Sequence, residues 1–239
     1  MTSLLRARVG AVVRSRAARI GLVVATVAIV LSACVPPPID NSNPLPAPDW
    51  WSGACDSGNY PGAHALGAEF RNVQVCGPRP GADGGANRLV RFFPGAWGEL
   101  EWQCVELSMR FMYLAYGVNP YGANGKDVYD NYSTAYGGGL VKIPNGTVGT
   151  APKPGDVLSF GPTVYSSFGH TGVVASSTVD DSGNGSVRIL RQNDTADGWR
   201  TLTVTNWVVT AGVPGLGAIP GWLHSPRTDP ATTTTTAAP

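Results

Sequence analysis

The stretch GELEWQCVELSMRFMYLAYG, residues 98–117, decides how the rest of the chain is arranged. Trp102, Val105, Met109, Met112 and Tyr116 recur at alternating spacings of three and four, which places them on one helical face. Leu107, Phe111 and Leu114 widen that apolar surface, so the helix is expected to be largely buried. Gly117 supplies the residue type that ends a helix, and Asn119-Pro120 prevents its continuation. Cys104 then falls in the first turn, among backbone N–H groups that have no intrahelical partner. The positive end of the helix dipole there favours thiolate over thiol. The same N–H groups point where an oxyanion would develop during attack on a carbonyl. The plain alternative is an inert core cysteine, since free cysteine is among the most buried residue types.

Downstream of the helix the pattern changes period. PGDVLSF (154–160) predicts a turn and a strand, with Asp156 fixing the turn. HTGVVASS (170–177) and SVRILRQN (186–193) predict two more strands, joined across the turn DDSGNG (180–185). WRTLTVTNW (199–207) and GWLHS (221–225) add further short strands. A helix followed by an antiparallel meander is an α+β domain, placed at 86–226. DDSGNG lacks the regular spacing of a calcium loop, and neither a metal nor another cofactor is expected.

Upstream, residues 1–33 read as an export signal. Arg6, Arg8, Arg14, Arg16 and Arg19 precede the apolar run IGLVVATVAIVL (20–31), too short for a comfortable membrane span. The run ends in LSAC, which resembles the bacterial lipobox, whose cysteine is diacylated. That resemblance marks Cys34 as a lipidation site and the membrane as a partner; a plain signal peptide or short anchor is the alternative. Two acyl chains suffice for stable anchoring. Residues 34–49 form a Pro-rich spacer and 227–239 a low-complexity tail, expected to be disordered.

Removing residues 1–33 takes five of the seventeen basic residues and no acidic one, leaving twelve against sixteen acids, net −4. A mildly acidic monomer of this kind offers no basic stripe for nucleic acid. Three cysteines remain, an odd number for an exported chain. Cys55 and Cys76 share the loop-rich segment 50–85, where a bridge closes a loop of about twenty residues and contributes ~3 kcal/mol in the chain-entropy account. Cys104 is left over, as an intermolecular linker or a reactive thiol.

A reactive thiol needs a base. The chain has three histidines: His64 in the extension, His224 near the last strand, and His170 opening a strand directly after a glycine. A third group must orient the imidazole, and RQND (191–194) offers Asn193 and Asp194. Taken in order, WQCVELSMRF, PKPGDVLSF, FGHTGVV and RILRQND resemble the CHAP family of cysteine, histidine-dependent amidohydrolases/peptidases. The resemblance implies a papain-like fold with the nucleophile helix packed on an antiparallel sheet, and cleavage of peptidoglycan amides, either a stem peptide bond or a muramoyl amide. It implies Cys104 as nucleophile, His170 as base and Asn193 as orienter. Gln103 is a candidate substrate-binding residue, as a donor to the oxyanion. One departure stands out. Many members carry Glu where this chain has Arg191, which either faces the site and lowers the His170 pKa or extends to solvent. An amidase acting on a small γ-glutamyl or polyamine amide, and a non-catalytic wall-binding lipoprotein, are the competing functions.

Overall fold

A computed structural model describes residues 55, 63–78, 89–90, 99–100, 103–212 and 216–228. Cys34, the export signal, the spacer and nearly all of the tail lie outside the described residues.

Helix α1 spans Cys104–Tyr116, and twelve of its thirteen residues are buried, as its broad apolar surface requires. Gly117 closes it with φ 72°, a left-handed value that costs glycine nothing. Its N–H and that of Val118 turn back to the carbonyls of Tyr113 and Met112. Burial on nearly every side takes Glu106 and Arg110 inside as well. They neutralise each other as a bidentate i,i+4 pair at 2.6 and 3.1 Å.

Before α1 come the hairpin β1 (Ala63–Phe70) and β2 (Val73–Pro78), then a short ladder, β3 (Leu89–Val90) and β4 (Glu99–Leu100). Arg71 and Asn72 make the hairpin turn with φ of 49° and 59°, the mirror-image turn that suits strand twist. Phe70, Val73 and Val75 are buried, and the Phe70 ring lies 5.7 Å from that of Phe111 on α1. Cys55 is bonded to Cys76, with their Cα atoms 5.6 Å apart, and Cys104 is the free cysteine among the described residues. The described part of the extension, 63–78, is therefore a packed hairpin, which its weak periodicity did not announce.

After α1, a short helix α2 (Val128–Asn131) leads into the main sheet. Its strands are β5 (Val141–Pro144), β6 (Val157–Phe160), β7 (His170–Val179), β8 (Gly185–Leu190), β9 (Trp199–Thr205), β10 (Val208–Thr210) and β11 (Gly221–His224). They lie in the order β10-β9-β8-β7-β6-β11-β5, every neighbouring pair antiparallel. Alternating residues divide two cores. Val157, Val173, Ala175, Leu190 and Leu223 join the helix and hairpin, whereas Leu158, Val174, Ile189, Leu202 and Trp222 meet on the opposite face. That second core is made of strand residues and the segment before β11, so the sheet curls over itself. Asp156 does fix the turn into β6: one carboxylate oxygen accepts the Lys153 N–H at 2.8 Å, and the other meets His224 Nδ1 at 2.8 Å. β8 stops at Leu190, three residues earlier than the sequence pattern predicts.

Candidate active site

The first turn of α1 packs against the first residues of β7. Ser108 Oγ, one turn after Cys104, lies 3.0 Å from Thr171 Oγ1, which also reaches Leu158 O at 2.7 Å. The Thr171 backbone N–H acts on the Cys104 thiol in the direction that lowers its pKa. Cys104 and His170 are thus brought to the same end of the helix–strand contact. Cys104 is 8% exposed, and no hydrogen bond joins its thiol to the imidazole.

His170 is held through its backbone. It pairs with Phe160 across β6 and β7, with the two rings 6.1 Å apart. Gly125 lies against it so closely that a Cβ there would stand 2.6 Å from His170 Cα. Gly169 turns the chain into β7 with φ 64°, a value that few side chains tolerate. The sequence motif Phe-Gly-His is a steric device for placing this imidazole.

The other candidates are arranged differently from the expectation. Because β8 ends at Leu190, the next segment closes a loop in which Arg191 N–H meets Gly198 O at 2.8 Å and Asn193 takes φ 61°. Asn193 does not hydrogen-bond to His170. Its Nδ2 donates to Gln103 Oε1 at 3.0 Å, so Asn193 orients Gln103. The expectation of an Asn193–His170 contact assumed a strand running through residue 193. Arg191 faces the site and is fully buried, with its Cζ 5.6 Å from the Phe160 ring. Asp194 Oδ2 pairs with Arg191 at 2.5 Å and with Arg200 at 3.1 Å. Gln192 was missed altogether. Its side chain accepts from Cys76 N–H at 2.8 Å and donates to Gln103 O at 3.0 Å and Glu106 Oε2 at 2.6 Å. It links hairpin, helix and site loop, and a lone glutamine among polar neighbours carries no sequence signal for that. Among the described residues no group of three or more His, Cys, Asp or Glu could hold a metal ion.

Residues 95–193 match the family model of the CHAP domain. The segment 95–193 is recognised as a CHAP domain. No curated protein matches the chain. The family is one of amidase/peptidase hydrolases and implies a papain-like fold, with which the helix and curled antiparallel sheet accord.

Electrostatics of this CHAP site run against the expected thiolate. Burial pushes the Cys104 thiol up to about 11. The backbone N–H groups of Thr171, Val105 and Cys104 pull the other way, as does Arg191, but burial outweighs them. His170 is driven down to about 3, first by burial and then by the Arg191 and Arg200 guanidiniums. Thiol and imidazole are therefore both neutral across the physiological range. The helix dipole acts in the expected direction and is overruled by desolvation.

Alkylation tests this. The iodoacetamide rate of Cys104 is expected to rise about tenfold per pH unit from neutrality towards the thiol pKa of about 11. A rate plateau below pH 8, measured by mass spectrometry of the Cys104 peptide, would show a thiolate and overturn the assignment.

Proposed function

We propose that the protein is a cysteine-dependent amidase or endopeptidase of the cell envelope, cleaving amide bonds of peptidoglycan. The observation that carries this reading is the convergence of Cys104 at a helix N-terminus, His170 at the start of the strand beneath it, and Gln103 tied by Asn193. Because thiol and imidazole begin neutral, His170 takes the thiol proton as sulfur attacks the carbonyl carbon, rather than beforehand. The Cys104 N–H and the Gln103 carboxamide donate to the tetrahedral oxyanion. Collapse gives a thioester, His170 returns the proton to the leaving amine, and water releases the acid. Asn193 acts in this scheme by positioning Gln103.

Incubation of the full chain with purified peptidoglycan, followed by mass spectrometry of soluble fragments, tests the reading. Free stem peptides indicate muramoyl-amide cleavage, and shortened stems indicate peptide cleavage. Absence of any fragment defeats the hydrolase reading. The buried Arg191 beside an unprotonated His170 favours one rival, a wall-binding module that keeps the fold without the chemistry. Wall sedimentation without fragment release would establish it.

The LSAC motif at 31–34 supports a lipid anchor on the outer face of the cell membrane. Cys34→Ala is expected to move the protein from the membrane to the medium, as read by fractionation. Unchanged partitioning would refute the anchor.

A further inference from the structure

A set of buried polar atoms beside His170 has no hydrogen-bond partner: His170 Nε2, Arg191 Nε, Nη1 and Nη2, Thr195 Oγ1 and Arg200 Nε. They belong to the start of β7, to the segment that joins β8 to β9, and to the start of β9. Buried polar groups are almost always satisfied, so a cluster of exceptions calls for a specific cause. The nearby carboxylate does not provide one. Asp194 Oδ2 lies 2.5 Å from Arg191 Nη1, but the contact is misaligned for a hydrogen bond. The same oxygen is shared with Arg200 at 3.1 Å.

The charges do not balance either. Two guanidiniums flank one carboxylate, and Arg191 is fully buried. The two arginines repel each other, and both act on His170. Glu106 cannot compensate, being engaged by Arg110 and Gln192. Phe160 fixes the arrangement from below, with His170 6.1 Å and the Arg191 Cζ 5.6 Å from its ring.

We infer that Arg191, Arg200 and the Nε2 edge of His170 form a binding site for a small monovalent anion of the halide class. Guanidinium nitrogens only donate, and imidazole Nε2 donates in one tautomer, so the partner must accept hydrogen bonds. A neutral acceptor would satisfy the donors but leave the excess charge. The unpartnered atoms themselves are buried although Arg200 and Asp194 are partly exposed, so a small anion reaches them more readily than a bulky or chain-borne acid. The anion would accept the Nε2–H and so leave Nδ1 unprotonated. It would also offset the guanidinium charge that opposes protonation of the imidazole. It thereby takes over the orienting and charge-balancing work of the carboxylate that many CHAP domains place at the position of Arg191. This last role rests on the amidase reading; the binding does not.

The test uses the full chain, with sodium chloride replacing sodium gluconate at constant ionic strength, followed by thermal unfolding and by chloride NMR linewidth. The melting temperature is expected to rise saturably with chloride. Arg200→Gln, at a partly exposed position that tolerates the change, is expected to raise the half-saturating concentration about tenfold through loss of one charge-assisted contact. Coincident unfolding curves in chloride and gluconate, or an Arg200→Gln response equal to wild type, would overturn the site. Crystals soaked in bromide provide a second reading: an anomalous peak against Arg191 and His170 Nε2 supports the site, and none there overturns it. Neither measurement requires turnover, so failure of the anion site and failure of the hydrolase reading are told apart.

Discussion

Cys104→Ala is expected to lower peptidoglycan hydrolysis by roughly ten-thousand-fold or more, the usual scale for removing a covalent nucleophile. Among the described residues no second thiol can substitute, because Cys55 and Cys76 are bonded to each other. The fold should barely respond. Only one sulfur is lost, a change of about 1 kcal/mol in the usual range for point mutants. For a domain of this size that moves the melting temperature by about 2–4 °C. Dye release from labelled wall, paired with calorimetry, separates the two effects. Retention of a tenth of the activity would remove Cys104 from the mechanism, and a parallel collapse in melting temperature would make it a core residue.

The largest effect on stability is expected at Arg110. Its guanidinium binds both Glu106 oxygens and also donates to Gln74 O at 3.0 Å. Truncation strands a buried carboxylate, which costs about 3–5 kcal/mol. That is a large part of the roughly 5–15 kcal/mol by which domains are stable. Arg110→Met should therefore unfold at markedly lower denaturant, with the site loop loosened through Gln192. The double change Glu106→Met with Arg110→Met should recover most of the loss, since a buried pair replaced together leaves no uncompensated charge. Equal denaturation midpoints for Arg110→Met and wild type would show that the pair contributes nothing.

Cys104 also marks where the sequence was legible. The place of Cys104 at the head of α1 was readable because helix periodicity and a Gly stop are local signals. β6, β7, β8, β9 and β11 were readable for the same reason, as alternation between turns, whereas the short strands β5 and β10 were not. The place of His170 at the start of β7 was readable from its position directly after Gly169. The hairpin Ala63–Pro78 was not, because its register contains an irregularity between Ala65 and Glu69 that breaks the alternation. The role of Asn193 was misread because the end of β8 is set by a tertiary contact, Arg191 N–H to Gly198 O, which no local pattern encodes. The expected thiolate is opposed for a related reason. A helix dipole can be inferred from sequence, but the burial that overrules it depends on the whole packed environment.

The order of strands in the main sheet has a consequence for how the chain reaches this structure. β11, the last strand in sequence, is inserted between β5 and β6. Until residues 221–224 arrive, β5 and β6 each present an unpaired edge along the slot, and such edges recruit other chains. Completing the slot needs contacts between positions about eighty residues apart, here Val141 with His224, which makes it a slow event. A fragment ending at residue 193, where the family match ends, would hold this slot permanently open. The segment recognised by likeness is shorter than the segment that can fold, and aggregation of the truncated form would be a kinetic property of its topology rather than a sign of a poor core.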